Sequence, residues 1–231
     1  MVRELLKAYV YGQMQKWHKK RFATFLNVLR QSTFKVRSIV DLGGGNGEYM
    51  ASCAHRLPGI KIIIADIDTS KLYEAYARYG FEIVKLLEQG LLALGNKECD
   101  FVFCNSVIEH VTVSKKYVWE IRKIEFFRKL AREHQKFFAS EILRISKGYF
   151  VQTPHRIFPI ESHTWLPLVG YLPRPLLISL LKSLNRWWLK TTIPDWCLLD
   201  YKEMEAMFPG AVIITEKVWG IPKSIIAFSI K

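Results

Sequence analysis

Apolar and polar positions alternate along this chain with two different periods, and the switches between them mark out its elements. Residues 2 to 30 carry Leu5, Leu6, Tyr9, Val10, Met14, Trp17, Phe22, Phe25, Leu26 and Val28 at roughly helical spacing, which predicts one or two amphipathic helices. SIVDL is a short apolar run of strand character that stops at a glycine cluster, and GEYMASCAHRL after it reads as a helix closed by Pro58 and Gly59. IKIIIADI, rich in β-branched residues, predicts a second buried parallel strand over 60–67. Ser70 then offers an N-cap for a helix KLYEAYARYG ended by Gly80.

Further strands are predicted over 81–84, at CDFVFCNS from Cys99 and at YFVQT, while LLEQGLLALGNKE fits no period. One or two helices span about 118–146, broken by Gly148. The stretch TPHRIFPIESHTWLPLVGYLPRP has too many prolines for a helix; a helical piece, LLISLLKSLNRWWLK, follows it. AVIITEKVWG and SIIAFSI read as paired strands, the last antiparallel. Strands alternating with helices define an α/β chain with a parallel sheet. No internal repeat or low-complexity tract interrupts it.

With 231 residues, half of them apolar, the chain can bury one substantial core, so a single domain is expected. Its expected parts are a helical cap (1–35), a ligand-binding core (36–152), an insertion (153–190) and C-terminal strands (191–231). A membrane span needs about 18 or more consecutive apolar residues, and none occurs. The opening segment has no secretory signal pattern, and a cytoplasmic protein is expected. The four cysteines form no CxxC pair and have no histidine at zinc spacing. They are expected as reduced, buried thiols, and no metal site is expected. A net charge of +13 favours anionic partners: nucleic acid, phosphorylated sugars or acidic lipid headgroups.

The densest chemistry lies in DLGGGNG, where Asp41, Gly43, Gly45 and Gly47 follow the first strand directly and precede a helix. Such a loop brings backbone N–H groups and a helix N-terminus close to a ligand. A nicotinamide fingerprint, GxGxxG, fails at its third glycine, which is Glu48 or Met50 depending on the starting point. Asp66 ends the second strand about 20 residues on, where an acidic side chain accepts from a ribose diol.

Through DLGGGNG, ADID and DFVFCNSVIEHV the sequence resembles the class I S-adenosylmethionine-dependent methyltransferases, of the group with the ubiquinone and menaquinone enzymes. The resemblance covers about residues 36 to 154. It implies a Rossmann-like, mostly parallel seven-stranded sheet with helices on both faces and an N-terminal helical extension. It implies S-adenosylmethionine as cofactor, with Asp41, Gly43, Gly45 and Gly47 around the methionine part. Asp66 would meet the ribose, Ile67 the adenine face and Glu88 the adenine amino group, while Asn105 and Ser106 would line the cleft between donor and acceptor.

Methyl transfer from a sulfonium depends chiefly on in-line alignment, and a hydroxyl acceptor also needs a base. The candidate bases are the histidines His110, His155 and His163 and the carboxylate of Glu161, each of which reads equally as structural. Some ubiquinone-type enzymes hold a metal with an acidic residue three positions before the glutamate of EHV; here that position is Ser106, which puts a metal-assisted mechanism in doubt. The segment VQTPHRIFPIESHTWLPLVGYLP resembles methyltransferases of glycan and cell-surface polysaccharide pathways. That implies an acceptor pocket with Phe158, Trp165 and Tyr171 as walls and Glu161 among its polar contacts. Lys182, Arg186 and Lys190, with Trp187 and Trp188, suit a helix over 175–190 lying either at a membrane interface or on the sheet. O-methylation of a small molecule, glycan precursor or lipid-linked acceptor is the leading expectation. An RNA methyltransferase and a noncatalytic adenosyl-ligand-binding protein are the alternatives.

Overall fold

The computed structural model describes residues 2–87 and 93–230, without the side chains of residues 2–6, 10 and 14. Glu88, the expected adenine contact, lies outside the described residues. The helices are α1 (Val2–Arg30), α2 (Glu48–Cys53), α3 (Thr69–Tyr79), α4 (Ile124–Ile145), α5 (Arg174–Leu184) and α6 (Tyr201–Met207). The strands are β1 (Ser38–Leu42), β2 (Lys61–Asp66), β3 (Glu82–Lys85), β4 (Cys99–Asn105), β5 (Ser146–Pro154), β6 (Val212–Val218) and β7 (Ile221–Ser229).

The strands form one sheet in the order β3-β2-β1-β4-β5-β7-β6. β1 to β5 are mutually parallel; β7 runs antiparallel between β5 and β6. This is the expected Rossmann-like sheet with an antiparallel hairpin at one edge. The strand order reverses at β1, which lies between β2 and β4, so the chain crosses over in opposite directions from there. In open α/β sheets, ligands bind outside the carboxyl ends of the strands at such a point.

Alternate residues of the central strands feed two cores, as a sheet covered on both faces requires. Val40, Leu42, Val102, Cys104 and Val151 pack against α4 and α6 through Phe138, Ile142, Met204 and Phe208. Ile39, Ile64, Phe101, Phe103 and Phe150 pack on the other face with Phe22, Phe25, Met50 and Leu72. The Phe25 ring lies 4.6 Å from that of Phe103 and 5.5 Å from that of Phe150. The second half of α1 is therefore a core helix, not part of a cap over the fold.

Four local readings are corrected. The N-cap of α3 is Asp68, whose carboxylate accepts from the Ser70 and Lys71 N–H groups; Ser70 sits inside the first turn. Gly148 lies within β5 and does not break the preceding helix, which ends at Ile145. A Cβ at Gly148 would stand 2.8 Å from the Phe101 ring and 2.9 Å from the Ser229 carbonyl, so glycine is set there by close strand packing. Helix α5 stops at Leu184, leaving Trp187 and Trp188 beyond it, and its Leu177 and Leu181 pack on Val169 and Trp196, not on the sheet. α6 was not expected; an Asp200–Glu203 capping box starts it. Among the described residues, no helix is long and apolar enough to cross a membrane. All four cysteines are free and buried, as expected.

Candidate active site

Asp41 is buried under the loop that leaves β1, and one of its carboxylate oxygens, Oδ2, has no hydrogen-bond partner. Burial, reinforced by the neighbouring Asp66 carboxylate, raises its pKa to about 7. An orphaned buried acceptor is costly unless a ligand satisfies it. The backbone above it is left-handed at Gly43 (φ 77°), Gly45 (φ 57°) and Gly47 (φ 73°). At Gly43 a Cβ would meet Val107 at 2.4 Å, and at Gly47 it would press on Phe81 and Ala75, so these glycines are needed by the fold itself. Gly45 differs. A Cβ there meets only Lys71, at 3.8 Å, which leaves its outer face open to a ligand.

Asp66 holds this loop in place. Its Oδ2 accepts from Gly45 N–H at 2.8 Å and its Oδ1 from Asp68 N–H at 2.9 Å, tying the first glycine loop to the end of β2. Each oxygen keeps a lone pair for a further donor. Ile67, next along, is 58% exposed and free to face a flat ring. Asp41, the open face at Gly45 and the Asp66 carboxylate are thus neighbours at the carboxyl ends of β1 and β2.

A cavity of ≈ 570 Å³ lies beside the ends of β4 and β5. α1 contributes Trp17 and Arg21 to it, the insertion Phe158, Glu161 and Trp165, and the β6–β7 hairpin Lys223 and Ser224. Ser106 and Gln152 form its inner end, joined by a 2.9 Å hydrogen bond from Ser106 Oγ to Gln152 Oε1. Ser106 adopts φ 57°, unusual for a non-glycine residue and typical of residues held in place at a site. Asn105 is not part of the cavity lining. Its Oδ1 accepts from Arg21, which also pairs with Glu216 of β6 at 2.9 Å, so Asn105 anchors α1. The Lys223 ammonium lies 3.6 Å from the Trp17 ring centre, and burial, aided by Arg21, lowers its pKa to about 8.

The structure separates the three histidines among the candidate bases. His155 lines the cavity, but its Nδ1 accepts from Ile157 N–H at 3.1 Å, which puts the proton of the neutral ring on Nε2 and leaves no lone pair there. Burial also lowers its pKa. His110 and His163 come together instead, ring centres 4.6 Å apart, next to the fully buried Glu109. Asp195 bonds His110 Nδ1 at 2.9 Å, and Glu161 bonds His163 Nδ1 at 2.5 Å. Burial pulls the His110 pKa down, but the Asp195 hydrogen bond and the Glu109 and Asp195 charges outweigh it and leave it raised.

Of the expected acceptor contacts, Phe158 and Trp165 line the cavity as walls. Glu161 does so too, but its carboxylate is engaged by the backbone N–H groups of His163 and Thr164 and by the His163 ring, so it organises the insertion. Burial opposes its ionisation, and these donors overcome it and lower its pKa. Tyr171 is exposed, its hydroxyl donating to the Ile157 carbonyl, and does not line the cavity. Sequence reasoning missed Trp17, Gln152, Asp195, Lys223 and Ser224. Only Trp17 had a signal, its place on the apolar stripe of α1; the others become site residues through contacts across the fold.

Residues 40–124 match the profile of the methyltransferase domain family. No curated protein matches the chain. Among solved structures, it is similar to a chain from the complex between the Haloferax volcanii Trm112 methyltransferase activator and a methyltransferase. That likeness covers 94% of this chain and 92% of that one, at 10% identity and a TM-score of 0.53. A Bordetella parapertussis protein described as a possible exported protein aligns over 90% of this chain and 67% of its own, at 13% identity and a TM-score of 0.52. A SAM-dependent methyltransferase from Archaeoglobus fulgidus is 16% identical over 98% of this chain and 94% of its own, with a TM-score of 0.47. At such identities the first two likenesses concern the fold alone. Residues 40–124 match a methyltransferase domain, and S-adenosylmethionine-dependent methyl transfer is the activity that this match supports.

Proposed function

We propose that this enzyme methylates a hydroxyl of a small molecule, a glycan precursor or a lipid-linked acceptor, bound in the cavity beside β4 and β5. The observation that carries the reading is the make-up of that cavity. Trp17, Phe158 and Trp165 offer flat apolar faces while Arg21, Gln152, Lys223 and Ser224 offer polar atoms, a mixture suited to a sugar or a ring bearing hydroxyls. Lys223 and Arg156 add positive charge for a phosphorylated acceptor. S-adenosylmethionine supplies the electrophilic methyl group when bound. Asp41, Gly43, Gly45 and Asp66 would hold its amino-acid and ribose parts, with Ile67 beside the adenine.

Asp41 then provides negative charge for the ligand's cationic groups. The glycine loop fixes its position, and Ser106 marks the border between the donor site and the acceptor cavity. The walls of the cavity set the acceptor oxygen in line with the methyl group, which supplies much of the rate enhancement. Ile157, Ile160, Leu168, Tyr171, Leu172 and Leu176 are all exposed in one segment of the insertion. Such a rim fits an acceptor presented at a lipid surface.

The test is a transfer assay with methyl-labelled S-adenosylmethionine against phosphorylated sugars, lipid-linked sugars in vesicles, small phenols and RNA. Label in a hydroxyl of one of the first three, reduced by Trp165→Ala, supports the reading. Label in RNA, with binding that weakens steeply with salt, replaces it with the nucleic-acid alternative. Donor binding without turnover on any acceptor favours the noncatalytic one.

A further inference from the structure

We propose that Glu109, His110 and His163 form a binding site for a divalent transition-metal ion, held by one carboxylate oxygen and two imidazole nitrogens. Glu109 and His110 lie in a 3-10 turn (Ile108–His110) just past β4, and His163 comes from the insertion. One potential ligand atom from each lies within 4.8 Å of the other two. Glu109 Oε1 stands 3.9 Å from His163 Nε2, too far for a hydrogen bond. Ligand atoms about 2.1 Å from a tetrahedral zinc ion stand roughly 3.4 Å apart, so a small side-chain adjustment closes the set.

The second observation is what each group does with its other atom. Glu109 is completely buried; its Oε2 accepts from Thr153 Oγ1 at 3.0 Å, and its Oε1 faces the two rings with no partner. Asp195 occupies His110 Nδ1, and Glu161 occupies His163 Nδ1. Both rings are thereby fixed with Nε2 free. A carboxylate behind each imidazole is the usual outer support of a metal-bound histidine, setting its tautomer and raising its basicity. His163 is further held by stacking on Trp196, ring centres 4.8 Å apart.

Two nitrogens and one oxygen suit zinc, cobalt, nickel or ferrous iron and do not suit magnesium, which prefers oxygen. His110 is about a third exposed, so water or an acceptor oxygen can complete the coordination. An oxygen bound there would be acidified. The site stands whichever acceptor the cavity takes. It also departs from the expectation of no metal: the acidic position before Glu109 is Ser106, and the third ligand arrives from a distant segment instead.

Untagged protein, stripped with a chelator, is titrated with Co²⁺ followed by visible absorption, then with Zn²⁺ as competitor. The expected result is one equivalent of Co²⁺, displaced by Zn²⁺ and not by Mg²⁺. His110→Ala and Glu109→Gln should abolish it while S-adenosylmethionine binding persists, and Asp195→Asn should weaken it by about 10- to 100-fold. Should the buried Glu109 variant fail to fold, the partly exposed His110→Ala decides. Absence of a saturable site, or binding that survives His110→Ala, overturns the proposal and makes the cluster a proton-sharing ion network, with His163 between two carboxylates.

Discussion

The proposed donor site and the proposed acceptor cavity are organised in opposite ways. On the proposed donor side, Asp41, the glycine loop and Asp66 all sit within one β1–α2–β2 unit, and the loop is held by backbone geometry and a hydrogen bond from Gly45 N–H to the Asp66 carboxylate. On the acceptor side, the lining comes from α1, the ends of β4 and β5, the insertion and the β6–β7 hairpin. There the side chains are held by long-range pairs such as Arg21–Glu216 and His110–Asp195. The donor half is a local motif that can be carried unchanged from one enzyme to another. The acceptor half is an assembly in which any of four segments can alter the substrate.

If the contrast holds, the largest effect belongs to Gly43→Val. It forces a β-branched residue to φ 77° against Val107, which should cost about 2–6 kcal/mol of stability, read from urea unfolding. Wild-type stability would show that the loop is not rigidly built. Because that variant perturbs the fold, Asp41→Asn is the better probe of the donor site itself. It should reduce S-adenosylmethionine affinity by roughly 10- to 100-fold in calorimetry, the loss of a charge-assisted contact, without loss of stability.

pH sharpens the same point. The folded pKa of Asp41, about 7, lies above its ordinary 3.8, so its proton favours the folded state. That contribution is complete below about pH 4 and is lost as pH rises through 7. A cationic ligand favours the ionised form, so donor affinity should rise by roughly tenfold from pH 6 to pH 8, with proton release. A flat profile would mean that Asp41 does not face the ligand. The smallest effect on donor binding is expected from Trp165→Ala, which should leave donor affinity within about twofold while lowering acceptor kcat/KM by roughly tenfold. A parallel loss of donor affinity would join the two halves that the structure divides.

The legibility of the molecule follows the same division. DLGGGNG and ADID could be read directly because strand, turn and helix follow within a few residues, and left-handed backbone positions demand glycine whatever surrounds them. Even there, reading Ser70 as the cap of α3 missed by two residues, since Asp68 and Ser70 are both good caps and only the chain's path selects Asp68. Gly148 shows the converse: the same residue breaks helices and permits close strand contact, and only Phe101 and Ser229 nearby decide which.

The sequence by itself determined the class of fold, the tight glycine turn after β1 and the buried state of the cysteines, because periodicity and local backbone demands act over a few residues. The tertiary structure alone decided that half of α1 is core, that His155 stands apart while His110 and His163 meet, and that Asp195 and Glu161 orient those two rings. Those partners are 85 and 2 residues away in the chain respectively, and His110 and His163 meet only because the insertion folds back over the end of β4. Side-chain chemistry is encoded residue by residue, but the electrostatic environment that gives it a role comes from contacts that no local pattern contains.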